Sequence, residues 1–319
     1  MKAAVLHELG KPPRFADFPE PSAGREEAIV QVRAASLKAV DKQLAAGTHF
    51  ASPRELPVIS GTDGVGNLAD GTRVFFGGPR RPFGAMAERT VVPTAFCFPV
   101  PNTLDDATAA ALPNPGVSAL LSLSHRAKLA KGEKVLILGA TGVTGKLAVQ
   151  IAKRLDAGRV IAAGRNPEAL QKLRELGADS IIQLGQPNDD LQKAFAREAG
   201  EAGFNVVIDY VWGPPTEVLL SAIARPEFAV VNSETRLVQV GESAGPAIAL
   251  PAAVLRSTAL TILGTAGIPS RDVLRAAMQQ ILEWAAAGTL RIETDQVPLA
   301  DIEQAWTRAE RGPRLVVIP

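Results

Sequence analysis

A glycine-rich turn at residues 139–145 has the residue types and spacing from which chemistry can first be inferred. The turn reads GATGVTG and follows an unbroken apolar run at residues 135–138, which is typical of a parallel strand buried on both faces. A helix pattern comes next, and residues 160–163 have the pattern of a second strand. Backbone N–H groups at a helix N-terminus attract anions, and glycines let a pyrophosphate approach them closely. The sequence therefore predicts a dinucleotide site at this turn.

The turn departs from the usual G-x-G-x-x-G pattern, because Ala140 stands at the position of the first glycine. The motif by itself also fits an ordinary α/β connection, so the prediction depends on the strands and helix around it. A triphosphate-binding loop is disfavoured, since Lys146 is followed by Leu147 and not by Ser or Thr. The residues predicted to bind the cofactor here are Ala140, Thr141, Gly142, Val143, Thr144, Gly145 and Lys146.

The end of the second predicted strand indicates which dinucleotide binds. It reads Gly164, Arg165 and Asn166, with no carboxylate. An acidic side chain at this position binds the ribose 2′-hydroxyl of NAD, whereas an arginine pairs with the 2′-phosphate of NADP. A solvated arginine on the turn is the alternative. We therefore expect NADP(H) as the cofactor, with Gly164 and Arg165 at its 2′-phosphate.

The composition is that of a globular protein large enough for two domains. The chain has 319 residues, 46% of them hydrophobic, and a formal net charge of +1, so nothing in it favours nucleic acid or an anionic membrane as a partner. No apolar run is long enough to span a membrane. Cys97 is the only cysteine, which excludes an intrachain disulfide and leads us to expect a reducing, cytoplasmic location.

Strand and helix patterns alternate through the second half of the chain and predict an α/β fold. Six apolar strand patterns with helices between them predict a doubly wound, six-stranded parallel sheet of the Rossmann type. The N-terminal part is rich in strand patterns, with a proline-rich loop at residues 12–21 and a short helix at 107–112 that ends at the prolines after it. The predicted divisions are a β-rich domain at 1–117, a dinucleotide-binding domain at 118–266 and a C-terminal segment at 267–319 that completes the first domain.

Seven segments spread over nearly the whole chain occur in a distinctive order. They are AASLKAVD, GTDGVG, AERTVVP, ALPNPGVSAL, ILGATGVTGKLAVQIAK, VVIDYVWG and LVQVGES. This order resembles the zinc-independent quinone oxidoreductases, relatives of zeta-crystallin in the medium-chain dehydrogenase/reductase superfamily. The resemblance implies a β-rich, GroES-like catalytic domain, a cofactor in the cleft between the domains, and a homodimer joined through the edges of the nucleotide-binding sheets.

The resemblance also implies roles for individual residues. It places Tyr210 near the nicotinamide and puts Lys38 where the family usually has asparagine. We predict both as catalytic residues: a lysine there would donate to a carbonyl oxygen, and its pKa would fall if it were buried against the cofactor. A solvated lysine and a core aromatic are the alternatives. Asp41 and Asp63 are predicted to be structural hydrogen-bonding residues. The remaining implied cofactor residues are Asn114, Ser118, Tyr210, Val211, Gly241, Glu242 and Arg314.

Zinc is not expected in this chain. The related zinc alcohol dehydrogenases need cysteine and histidine ligands around AASLKAVD and GTDGVG, and neither residue type occurs in those segments. The three histidines, His7, His49 and His125, are scattered without ligand spacing. Without a metal, an alcohol is not readily made an alkoxide, so alcohol oxidation is disfavoured.

The expected reaction is therefore NADPH-dependent hydride delivery to an acceptor that is already electron-poor, a quinone or an α,β-unsaturated carbonyl. Two alternatives remain open from the sequence. One is an NADPH-binding sensor or scaffold with little turnover, since no obligatory acid or base is visible. The other is a dehydrogenase of an unidentified metabolite.

Overall fold

The computed structural model describes residues 1–224, 234–265, 270–308 and 312–319. Contacts between residues divide the chain into two units. The first unit consists of Met1–Pro115 and Arg271–Pro319, and the second consists of Gly116–Ser270.

The first unit begins with strands, as the sequence predicts. Its elements as far as residue 111 are β1 Lys2–Leu6, β2 Arg14–Asp17, β3 Glu27–Ser36, α1 Ala39–Ala46, β4 Val58–Ile59, β5 Asp63–Asn67, β6 Arg73–Gly77, β7 Arg89–Pro93, β8 Cys97–Pro99 and α2 Asp106–Ala111. The prediction of a loop at residues 12–21 is wrong where β2 lies. This strand pairs antiparallel with β1, Lys2 opposite Asp17, because the neighbouring strand supplies backbone partners that local sequence does not reveal.

The second unit alternates strands and helices. Helix α3, Pro113–Leu121, begins in the first unit and ends in the second. The other elements of the second unit are β9 Lys134–Leu138, α4 Val143–Arg154, β10 Arg159–Gly164, α5 Pro167–Lys172, β11 Ser180–Gln183, α6 Asn188–Ala199, β12 Val206–Asp209, α7 Pro214–Ile223, β13 Thr235–Gln239, α8 Ala252–Ser257 and β14 Leu260–Gly264. The short helix predicted at 107–112 is α2, which ends at Ala111 just before the prolines, as predicted; what the sequence pattern did not predict is that a new helix, α3, starts at them. Pro113 and Pro115 can begin it, because a proline in the first turn removes no helical hydrogen bond.

The six strands of the second unit form one parallel sheet in the order β11-β10-β9-β12-β13-β14. The predicted doubly wound sheet is thereby confirmed. Strand β9 is central, with Val135 opposite Val160 on one side and Val206 on the other, and residues 135–138 are fully buried. Because the strands are parallel, their carboxyl ends lie at one edge, where α/β proteins bind ligands.

The C-terminal residues return to the first unit. Their elements are α9 Arg271–Ala286, β15 Thr294–Pro298, α10 Ile302–Thr307 and β16 Arg314–Ile318. Strand β16 pairs antiparallel with β3, Val316 opposite Ser36. The larger sheet of this unit therefore runs β15-β16-β3-β5-β6-β8, with β7 also paired to β3, and a smaller sheet runs β2-β1-β4. Phe76, Met86 and Trp306 belong to the core that these strands cover.

Candidate cofactor and acceptor sites

The glycine turn joins β9 to α4 and leaves backbone donors open at the helix start. Gly142 is the N-cap residue, and no side chain caps the helix. The N–H groups of Val143, Thr144 and Gly145 have no hydrogen-bond partner within the described part of the chain. Together with the helix dipole, three such N–H groups form a site that suits a phosphate.

The glycines of this turn have different physical roles. A Cβ on Gly145 would lie 2.4 Å from the carbonyl oxygen of Gly139, so only glycine lets α4 pack this closely on the turn. A Cβ on Gly142 would meet only that same oxygen, at 3.4 Å, which leaves open space for a ligand. Gly139 has φ +79 and makes the tight turn itself, which explains why Ala140, fully buried, is accepted after it.

The end of β10 presents one cationic side chain. Gly164 is buried, and a Cβ there would lie 2.6 Å from Cγ2 of Thr141. Asn166 is used locally, since its Oδ1 accepts the N–H of Ala169 at 2.9 Å and caps α5. The Arg165 side chain is exposed and forms no hydrogen bond or ion pair with any residue that the structure describes. It is therefore available to an anion at this strand end.

The turn after β12 is held by a carboxylate that sequence reasoning missed. Asp209 is fully buried, and its Oδ1 accepts the N–H groups of Val211 and Trp212, both at 2.8 Å. Its Oδ2 accepts the Thr216 hydroxyl at 2.6 Å. Burial raises the pKa of Asp209, and these donors oppose the increase. The signal in the sequence was an aspartate at the end of an apolar strand, where an isolated carboxylate would be costly.

Tyr210, which follows Asp209, keeps its hydroxyl out of solvent. The hydroxyl oxygen has no hydrogen-bond partner among the described residues, and burial raises the pKa of Tyr210. Gly241 packs on its backbone, because a Cβ there would lie 2.7 Å from the Tyr210 carbonyl oxygen. Val211 is buried beside Gly139, whereas Glu242 is exposed. The predicted residues at the ends of β9, β10, β12 and β13 thus all belong to one sheet edge.

Lys38, in the first unit, is buried and only 3% exposed. The alternative of a solvated lysine is therefore wrong. Its ammonium Nζ lies 2.9 Å from Oδ1 of Asp63 and 3.2 Å from Oδ2 of Asp41. The carbonyl oxygen and Oγ of Ser36 lie 3.0 Å and 3.3 Å from the same nitrogen. Four oxygen atoms therefore surround three N–H donors.

The direction of the pKa shift of Lys38 differs from the expected one. Burial acts to lower the pKa of Lys38, but the carboxylates of Asp41 and Asp63 outweigh it, and the pKa is raised. The predicted fall in pKa is wrong, because no sequence pattern reveals that two carboxylates lie beside the ammonium. Burial raises the pKa of Asp63, with Asp41 adding to it and Lys38 opposing it.

Asp41 and Asp63 are structural hydrogen-bonding residues, as predicted. Asp41 Oδ2 accepts the backbone N–H of Lys38 at 2.9 Å, while its Oδ1 accepts both the N–H and the hydroxyl of Thr62, each at 3.1 Å. Asp63 Oδ2 accepts an amide N–H of Asn114 at 3.0 Å. Arg314 donates to the carbonyl oxygen of Leu37 at 2.9 Å. Ser118, on α3, is partly exposed.

Thr62 also lines a cavity of about 290 Å³ within the first unit. Apolar walls come from Val40, Leu44 and Phe83, and polar groups come from Asp41, His49, Thr62 and Arg81. His49 accepts the N–H of Ala51 through Nδ1 at 3.1 Å, which leaves its Nε2 as the N–H donor. A cavity that is mostly apolar with a few polar groups suits a small carbonyl compound.

The residues present do not fit a metal ion. Within the described ranges, no three His, Cys, Asp or Glu side chains come together as possible ligands. The two segments around which zinc ligands would be needed, AASLKAVD and GTDGVG, are joined in this structure by the ion pair between Lys38 and Asp63. An ammonium in that place repels a cation, so the chemistry of this cluster opposes metal binding.

Comparison with known proteins shows what the chain is similar to. A family profile described as "Zinc-binding dehydrogenase" matches residues 143–286, a stretch without cysteine or histidine. The quinone oxidoreductase from Thermus thermophilus, whose structure was also determined in complex with NADPH, is 29% identical, with a TM-score of 0.82 and 100% of each chain covered. These comparisons confirm the resemblance to the medium-chain dehydrogenase/reductase superfamily.

Two curated relatives of this chain are named as an oxidoreductase-like protein and as a reductase. The quinone oxidoreductase-like protein 2 homolog of Nematostella vectensis is 28% identical over 305 residues, covering 91% of this chain and 80% of the relative. The 2-methylene-furan-3-one reductase of Solanum lycopersicum is 30% identical over 234 residues, covering 66% and 59%. No helix in the described ranges is long and apolar enough to cross a membrane.

Proposed function

We propose that this protein is an NADPH-dependent reductase that delivers hydride to a quinone or an α,β-unsaturated carbonyl without a metal. The observation that carries the proposal is the sheet edge of the second unit. There, three open N–H groups begin α4, and the cationic Arg165 directly follows β10, with Gly164 and Asn166 rather than an acid on either side of it in the chain. The pyrophosphate of NADPH would bind the first feature, and its 2′-phosphate would pair with the second.

The chemistry of the relatives supports the same reaction class. The names of the two curated relatives refer to a quinone in one case and to a conjugated methylene ketone in the other. Both acceptors are electron-poor at the carbon that receives hydride. NADPH supplies that hydride when bound, and the protein orients the acceptor, excludes water and stabilises the developing negative charge on oxygen.

The roles of individual residues within this site are part of the proposal. The turn residues from Ala140 to Lys146 would bind the pyrophosphate. Tyr210, Val211, Gly241 and Glu242 lie at neighbouring strand ends, where the nicotinamide half would bind. Asn114, Ser118 and Arg314 would contact the cofactor from other segments, and Lys38 and Tyr210 stay predictions as catalytic residues.

The test is NADPH consumption, with NADH beside it, against a panel of small quinones and 2-enones. Acceptor-dependent oxidation of NADPH, with little oxidation of NADH, is expected. Reactions without acceptor and with a saturated ketone of similar size are the controls, since neither should consume NADPH. Saturable NADPH binding without acceptor-dependent oxidation would contradict the proposal and favour the sensor function.

The proposal extends to assembly and location. Among the strands that the structure describes, β14 is the outermost of its sheet, and Ile262 on it is 37% exposed. An unpaired strand edge with an exposed apolar side chain is a natural site for pairing with another chain. We therefore place the contact of a homodimer at β14, and the single cysteine supports a cytoplasmic protein.

A further inference from the structure

We infer that Lys38 acts as a positioning residue: its buried ammonium ties Asp41 to Asp63 and through them holds Thr62 and Asn114 in place. This inference rests on the proposed reductase function and replaces the predicted direct contact between Lys38 and the acceptor with an indirect, positioning role. The ammonium already has four oxygen atoms around it, at 2.9 to 3.3 Å, and only three N–H donors. An acceptor carbonyl would have to displace one of these partners to be bound by Lys38.

The first arm of the cluster leads to the cavity of the first unit. Asp41 is held on one side by Lys38, which contacts Oδ2 through both its backbone N–H and its ammonium. The other oxygen of the carboxylate accepts both the N–H and the hydroxyl of Thr62. Thr62 lines the cavity, and its backbone N–H and hydroxyl both donate to Asp41, so Asp41 fixes the position of this part of the cavity wall.

The second arm leads to a predicted cofactor residue. Asp63 is held by the Lys38 ammonium through Oδ1, and its Oδ2 accepts one amide N–H of Asn114. This bond fixes which way the amide of Asn114 points, leaving its carbonyl oxygen and second N–H for other contacts. One cation thus orients two side chains that lie on different segments, the loop before β5 and the start of α3.

The charges explain why a cation is required here. Lys38 and Arg314 are the cations of the cluster, and Asp41 and Asp63 are its anions, so the four formal charges balance. Without Lys38, Arg314 would be the one cation left to act on the two buried carboxylates among the residues that the structure describes. Removing one partner of a buried ion pair leaves an uncompensated charge, which is more costly than removing the whole pair.

The experiment compares Lys38→Met with the double variant Lys38→Met/Asp63→Asn, in the full chain. The matched control is Lys42→Met, the same substitution one helical turn further along α1, whose ammonium instead bonds the carbonyl oxygen of Arg308. For each variant we would measure kcat, acceptor KM, the NADPH dissociation constant and the thermal midpoint, all as a function of pH.

Lys38→Met should lower kcat by about ten- to a hundredfold, as loss of an outer positioning partner does, while Lys42→Met should not. In Lys38→Met, one of the two carboxylates should have a pKa above that of the unfolded chain. The stability of this variant should therefore fall more steeply than that of wild type as pH rises above about 4. The double variant removes that carboxylate and should lose the steep fall, while its kcat stays low. A folded Lys38→Met with the kcat and pH dependence of wild type would overturn the inference.

Separate variants can also test each arm of the cluster alone. They decide the inference if Lys38→Met does not fold. Asp41→Asn should alter kcat and acceptor KM but not NADPH affinity, whereas Asp63→Asn should weaken NADPH binding. Wild-type values in both variants would overturn the inference. If none of the tested acceptors supports oxidation of NADPH by the wild type, the proposed function fails. The inference can still be decided, because the pH dependence of the thermal midpoints and the NADPH affinity of Asp63→Asn are measured without an acceptor.

Discussion

At the residue scale, the role open to a cationic side chain in this protein depends more on the charges around it than on its residue type. Lys38 was predicted to donate to an acceptor, yet two carboxylates of its own unit surround it. Arg165 is the opposite case, a cation without a hydrogen-bond or ion-pair partner in the part of the chain described here. A cation that no side chain of the protein neutralises is the one available to a ligand.

Reversing the charge of Arg165 is therefore the most direct test of cofactor choice. Arg165→Glu should weaken NADPH binding by at least about tenfold and shift the preference toward NADH, because a carboxylate repels the 2′-phosphate and accepts a ribose hydroxyl. Binding of both nucleotides would be titrated, with Lys172→Glu, an equal charge change at the far end of α5, as the control. Unchanged NADPH selectivity would remove Arg165 from the site.

The hydroxyl of Tyr210 gives a pH prediction. Its folded pKa is raised by burial above that of the unfolded chain, so the neutral form stabilises the fold and this stability is lost as pH rises above about 10. Tyr210 is the only tyrosine, so tyrosinate absorbance reports this site alone. Ionisation should coincide with unfolding, and Tyr210→Phe should unfold at a higher pH. Ionisation within the folded protein at an ordinary pKa would contradict this.

At the element scale, the turn from β9 to α4 depends on glycines for two different reasons. A side chain at Gly145 meets backbone atoms, which cannot move aside without moving the strand or the helix. A side chain at Gly142 meets almost nothing of the protein. The first glycine therefore serves the fold, and the second serves whatever binds at the helix start.

A matched pair of alanine variants separates these reasons. Gly145→Ala should destabilise the protein by about 1–3 kcal/mol or more, because the added methyl overlaps the Gly139 carbonyl. Gly142→Ala should leave the thermal midpoint almost unchanged while weakening NADPH binding. Chemical denaturation and nucleotide titration measure the two effects. The assignment of the turn to the pyrophosphate would be lost if Gly142→Ala bound NADPH as tightly as wild type.

At the scale of the whole molecule, the second unit ends in an exposed strand edge. Ile262→Lys places a charge on β14, a change that disfavours pairing between strand edges. If the homodimer forms there, this variant should be monomeric, whereas Leu9→Lys, an exposed apolar position of the first unit, should remain dimeric. Light scattering coupled to size-exclusion chromatography gives both masses. A dimeric Ile262→Lys would move the interface elsewhere.

The sequence by itself determined the second unit almost completely. Its strands are continuous apolar runs, its helices have a clear period, and its glycine turn has a meaning that depends only on neighbouring residues. These are short-range patterns, so the parallel sheet and the position of the turn were predicted and are confirmed. Helix α1 of the first unit also has a local signal at its end, since Gly47 follows it in the left-handed region at φ 77.

Only the tertiary structure decided which charges meet. Lys38 and Asp63 are 25 residues apart in the chain, and Asn114 lies a further 51 residues on. No local pattern relates them, because contacts between distant segments follow from how β3, β5 and α3 pack. The pairing of β2 with β1 and the carboxylate of Asp209 inside its turn were hidden for the same reason. Electrostatic effects depend on distance in space, which a sequence does not contain.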